Sequence, residues 1–119
     1  MIIIVVAQHS THQTKPTVQV INQLSSKVLI VHCASKDDDL GAHAVEINVA
    51  FQWSFNTIQV GGATLFWCNV AVEDKRLSFV AYDQGLKNSF NYPYWLVRDD
   101  GRYGQVGTFQ LFVRAWKRT

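Results

Sequence analysis

The stretch Ala50-Phe51-Gln52-Trp53-Ser54-Phe55 decides the fold. Aromatic rings occupy positions 51, 53 and 55, with small or polar side chains between them. A strand sends successive side chains to opposite faces and so puts all three rings on one face, whereas a helix would turn Trp53 to the side opposite Phe51 and Phe55. The segment therefore reads as a half-buried strand with Phe51, Trp53 and Phe55 pointing inward. The same period of two recurs on either side. Upstream, Val18 and Val20 alternate with Thr17 and Gln19, and Leu29, Val31 and Cys33 alternate with Ile30 and His32. That second run is apolar on both faces, which predicts a central strand covered on both sides. Downstream, Phe66, Cys68, Val70 and Val72 share one face of residues 64–72, and Leu77, Phe79 and Ala81 share one face of residues 76–82. Glu73, Asp74 and Lys75 make the hairpin between them. A further strand over 94–97 follows Pro93, and Asp99, Asp100 and Gly101 form a tight turn, since glycine accepts a positive φ. In residues 108–116, Phe109, Leu111 and Val113 alternate with Gln110, Phe112 and Arg114. Short strands with turns at regular intervals predict an all-β fold, a small antiparallel β-sandwich of about seven or eight strands.

The chain has 119 residues, 48% of them hydrophobic and 17% charged, which suits one compact core and is too short to divide into two. Residues 17–119 are expected to form that single domain. Residues 1–16 open with the apolar run Met1 to Ala7 and read as a short apolar leader or flexible N-terminal segment, an extra strand being the other reading. The run is far shorter than a bilayer span, so no stable membrane insertion is expected. The net charge of +2 arises from 11 basic and 9 acidic residues scattered along the chain, too few and too dispersed to suggest a nucleic-acid partner.

His32 and Cys33 suggest a base and a nucleophile, but neighbours on a strand point to opposite faces and cannot share a proton. His43 lies about ten residues away, and no hydrolase or metalloprotease motif organises the three, so no enzymatic activity is expected. Asp37, Asp38, Asp39, Leu40 and Gly41 resemble a cation loop only in composition. An EF-hand alternates its ligands and places a bidentate Glu at the twelfth position, and these carboxylates are consecutive. A turn in which one Asp side chain caps backbone N–H groups is the expected role, with no metal and no cofactor. Of the tryptophans, Trp53 belongs to the core, while Trp67 and Trp95 suit either the interior or a ligand-stacking face. Cys33 and Cys68 permit one bridge, worth about 4 kcal/mol for its loop of about 35 residues, or remain as buried thiols.

The string His32-Cys33-x-Ser35-x-Asp37-Asp38-Asp39-Leu40-Gly41, followed by Phe51, Trp53 and Phe55, resembles the plant self-incompatibility S-protein homologue family. Val18, Val20, Asn22 and Leu24 precede the match, and Thr64, Leu65, Phe66, Cys68, Trp95, Asp100 and Gly101 extend it. The resemblance implies a secreted, extracellular β-sandwich without enzymatic activity, acting as a signalling ligand for a cell-surface protein receptor. Relatives usually carry further cysteines in regions that here read Asn91, Tyr92, Pro93, then Arg102, Tyr103, and Phe112, Val113. Recognition is expected in loops, which vary without disturbing the core. The first candidate is Asp83, Gln84, Gly85, Leu86, Lys87, Asn88 and Ser89, and the second is Glu73 to Arg76. The alternative function is a carbohydrate-binding, lectin-like sandwich that uses the tryptophans.

Overall fold

The computed structural model describes residues 15–57, 63–85 and 91–118, so the proposed leader lies outside it except for Lys15 and Pro16. Ten strands are present among the described residues. They are β1 (Thr17–Asn22), β2 (Leu29–Ser35), β3 (Asp39–Val45), β4 (Ala50–Ser54), β5 (Leu65–Val72), β6 (Lys75–Asp83), β7 (Tyr94–Arg98), β8 (Gly101–Val106), β9 (Phe109–Ala115) and β10 (Lys117–Arg118). One sheet has the order β4-β1-β7-β8-β9 and the other β10-β6-β5-β2-β3. All pairs are antiparallel except β1 with β7, where Val20 faces Trp95 in a parallel register. The all-β sandwich expected from the alternation is present, with three strands that the alternation did not reveal.

Those three strands, β3, β8 and β10, lack a clear apolar face. β3 mixes Gly41, Ala42 and Ala44 with Asp39 and His43, and its pairing with β2 holds it in place. β8 carries Arg102 and Gly104 on its inner face, so its buried positions look polar or empty in the sequence. β10 is two residues long.

The inner faces of the two sheets meet in a core containing Val18, Val20, Leu29, Val31, Phe51, Trp53, Phe66, Val70, Leu77, Phe79, Trp95 and Val97. Phe55 packs at its margin. A run of rings crosses it: His43 stacks on Phe51 at 4.7 Å, Phe51 meets Trp53, Trp53 meets Phe66, and Phe66 meets Phe55. Offset and tilted aromatic pairs of this kind add specific attraction to simple burial.

Two expectations are corrected. β2 lies between β5 and β3 but is covered on one face only: Leu29, Val31 and Cys33 are fully buried, and Ile30 on the opposite face is 43% exposed. A two-layer sandwich has no third layer to cover that side. At the far edge, the alternation in β9 does not translate into burial. Phe109, Leu111 and Phe112 are all exposed on β9, the edge strand of its sheet, and only Val113 packs against the core.

A single buried polar side chain joins the loops at one end. Asn22 is fully buried, its Nδ2 donates to the Lys27 and Val45 carbonyls, and its Oδ1 accepts from the Leu24 N–H. These bonds satisfy loop backbone groups that would otherwise be buried unpaired.

Candidate partner-binding surface

The strands place several sequence features at one end of the sandwich. β2 ends there at Ser35, where β5 begins, with Ser35 opposite Phe66. β6 ends beside the same point, with Leu65 opposite Asp83, and β4 ends at Ser54 against Thr17. The Asp37–Gly41 turn, the start of the Asp83 loop and Trp67 are therefore neighbours in space although distant in sequence.

The turn is built by its own side chains. The Asp38 N–H donates to Ser35 Oγ at 3.1 Å, and the Ser35 N–H donates to the Asp38 carbonyl at 2.7 Å. Asp39 Oδ1 accepts from the Gly41 N–H at 2.9 Å and lies 2.6 Å from His32 Nε2. The Gly41 N–H, followed by the His32 ring, holds the exposed Asp39 carboxyl below its ordinary range. Gly41 has φ +80°, a conformation that favours glycine. The turn is thus an Asp-capped one, as its consecutive carboxylates suggested. Asp37 and Asp38 keep their carboxylates at the surface.

His32 and Cys33 lie on opposite faces of β2. His32 faces Asp39 on the outside of the sheet, and Cys33 is fully buried on the inside. Cys33 is bonded to Cys68, its direct partner across β2 and β5, with Cα atoms 4.0 Å apart. Of the two readings left open for these cysteines, the structure takes the bridge.

Beside the turn is an open cleft of about 680 Å³. Its wall includes Lys36, Asp37 and Asp38 from the turn, Phe55 from the end of β4, and Leu65 and Trp67 from β5. Trp67 and Leu65 lie on the outer face of β5 and are 39% and 37% exposed. Of the two tryptophans whose side was open, Trp95 is buried in the core and donates its Nε1–H to the Ala81 carbonyl, so only Trp67 is presented outward.

The Asp83 loop is anchored at the same end. Gln84 makes two contacts with Thr64: its N–H donates to the Thr64 carbonyl, and its Oε1 accepts from the Thr64 N–H, both at 2.8 Å. The Asn91 side chain receives the Asp83 N–H and donates to the Asp83 carbonyl, closing the base of the loop. Asp83 Oδ1 accepts from the Gly85 N–H. Leu86, Lys87, Asn88 and Ser89 lie outside the described residues. The second candidate, the hairpin from Glu73 to Arg76, is at the opposite end. There Glu73 turns the chain with φ 54° and reaches Lys27 at 3.3 Å.

In the sequence the turn and the loop stand more than 40 residues apart, and nothing local brings them together. Nor does the sequence select Trp67 over Trp95, because each has apolar neighbours at alternate positions.

The geometry defines a disulfide-bonded, all-β sandwich with the Asp37–Gly41 turn, the start of the Asp83 loop and the exposed Trp67 at one end. The chain belongs to the family described as plant self-incompatibility protein S1, whose model matches residues 17–116. It is 37% identical to S-protein homolog 21 of Arabidopsis thaliana over 111 residues, covering 86% of this chain and 82% of that protein. S-protein homolog 1 of the same plant is 30% identical across 84% of this chain and 70% of the relative. S-protein homolog 2, also from Arabidopsis thaliana, is 36% identical over 58% of this chain, a match spanning 43% of the longer protein. No solved structure matches the chain. No helix among the described residues is long and apolar enough to cross a membrane.

Proposed function

We propose that this protein is a secreted signalling ligand that recognises a cell-surface protein receptor through the end of the sandwich carrying the Asp37–Gly41 turn, Trp67 and the Asp83 loop. The observation that carries this reading is the exposed Trp67 beside surface carboxylates on a rigid, disulfide-bonded frame. Aromatic anchors ringed by charged side chains are the usual energetic centres of protein interfaces. A buried disulfide agrees with an oxidising, extracellular compartment, and membership of the self-incompatibility protein S1 family agrees with signalling between cells.

Two experiments test it. The full chain, tagged at its C-terminus and expressed in plant cells, is expected in the medium with Cys33 and Cys68 oxidised; retention in the cell with free thiols overturns the secretion. Purified protein labelled with a fluorophore is expected to bind intact plant protoplasts saturably, and Trp67→Ala to weaken that binding about tenfold or more. Equal binding by the variant would remove this end of the sandwich from the interface.

A carbohydrate-binding role is the second reading, and Trp67 favours it too, since an outward-facing indole beside a cleft is suited to stacking on a sugar ring. A glycan array separates the two: a defined sugar signal lost in Trp67→Ala supports the lectin-like role, and protease-sensitive binding to protoplasts supports the protein receptor.

A further inference from the structure

On another side of the molecule, where the chain crosses from β9 to β10, a groove of about 930 Å³ opens between the edges of the two sheets. Its wall carries Arg76 from β6, Arg102 from β8, Arg114 from β9 and Lys117 from β10, together with Ser78 and Trp116. Among the described residues no carboxylate lines it. It shares no residue with the cleft beside Trp67.

Arg102 is the unusual member. It occupies an inward-facing strand position and is only 9% exposed. Its guanidinium lies over the rings of Phe79 and Trp95, 4.5 and 5.0 Å from their centres. Those faces attract a cation but do not accept its N–H groups in full hydrogen bonds. Nε and Nη1 are buried and have no hydrogen-bond partner. Burial, and then the charge of Arg114, draws the Arg102 pKa down to about 10. A desolvated charge without a counter-ion is unfavourable.

The neighbour makes this worse. Arg102 and Arg114 are direct partners across β8 and β9, and like charges directly opposite on a sheet repel. Burial explains neither the pairing nor the absence of an acidic residue. An anion between these side chains would explain both, because arginine forms short, charge-assisted hydrogen bonds to oxyanions that strengthen as water is excluded.

We propose that the groove between β6, β8, β9 and β10 is an anion-binding site in which Arg102, Arg114 and Arg76 hold a multiply charged oxyanion group. The ligand class is a phosphate, a sulfate or a polycarboxylate, alone or as part of a larger molecule. Trp116 also lines the wall, its ring partly buried against the core and its Nε1–H donating to the Arg98 carbonyl. The site stands independently of the receptor reading, which concerns the other cleft.

The test uses the full chain and three probes, sodium sulfate, sodium phosphate and sodium citrate, each at an ionic strength matched with sodium chloride. Intrinsic tryptophan fluorescence, to which Trp95 beneath Arg102 and Trp116 in the wall contribute, reports the titration. A saturable change with at least one probe is expected, and the order of affinities identifies the preferred group. Arg114→Gln, at an exposed position, is expected to fold normally and to bind about tenfold more weakly or worse, the loss of one charge-assisted contact. Arg102→Met keeps an apolar side chain against Phe79 and Trp95 and is expected to abolish the response. Both variants also subtract the general stabilisation that sulfate and phosphate give to any folded protein. Responses that never saturate, or that are the same in wild type, Arg114→Gln and Arg102→Met, overturn the site.

Discussion

Cys33 and Cys68 face one another directly across β2 and β5, both fully inaccessible to solvent, and are joined as a disulfide that closes a separation of 35 residues. The bridge ties two adjacent interior strands of one sheet within the core. It encloses the Asp37–Gly41 turn, β3 and the aromatic strand β4 within its loop.

Cross-linking removes conformations from the unfolded chain, and a loop of this length is worth about 4 kcal/mol on the chain-entropy estimate. Cys33→Ala/Cys68→Ala is therefore expected to lose about that much stability in urea unfolding. Protein denatured without reductant is expected to react with no maleimide, and reaction at both cysteines would contradict the bridge.

Asn22 is the polar keystone of the opposite end from the turn. Asn22→Leu removes two donated bonds and one accepted bond and leaves the Val45 and Lys27 carbonyls and the Leu24 N–H without that partner. A loss of about 3 kcal/mol or more is expected, since buried backbone groups left unpaired are penalised individually. Equilibrium unfolding measures it, and hydrogen exchange at Leu24 is expected to accelerate.

Gly101 and Gly107 make a contrasting pair. Both have positive φ, +147° and +59°, but a Cβ at Gly101 would lie 2.1 Å from the Arg114 carbonyl oxygen, whereas nothing surrounds one at Gly107. Gly101→Ala must push β9 away from β8 and is expected to lower stability by about 3 kcal/mol. Gly107→Ala bears the backbone conformation alone, about 1 kcal/mol. Melting temperatures of the two variants give the comparison.

Asp39 sets an acid limit on the turn. Its carboxyl is held below the ordinary 3.8 by the Gly41 N–H and by His32, so the folded state favours the ionised form. The stabilisation is fully present above the unfolded-state value and is lost as pH falls through the lowered folded-state value. An NMR titration of the Asp39 carboxyl carbon is expected to give a midpoint below 3.8, and Asp39→Asn is expected to remove the acid-dependent change at the Gly41 amide.

The strands with one apolar face were legible because alternation is a local consequence of backbone geometry. Phe51 and Trp53, then Phe66, Cys68, Val70 and Val72, and then Leu77, Phe79 and Ala81 all face inward as their spacing implies. β8 was not legible, because an arginine at an inward position looks like a surface residue until Phe79 and Trp95 are seen beneath it. The candidate surface was legible only in pieces: the string Asp37 to Gly41 and the polar residues from Asp83 stood out, but nothing local says that they share an end with Trp67.

By itself, the sequence determined that this chain builds an all-β core from period-two strands, and which family it belongs to, since both follow from side-chain order along the chain. Only the tertiary structure decided the parallel pairing of β1 with β7, the bond between Cys33 and Cys68, the outward side of Trp67 and the company of Arg102. Each of these depends on contacts between residues far apart in sequence, set by how ten strands divide between two sheets rather than by the alternation within any one of them.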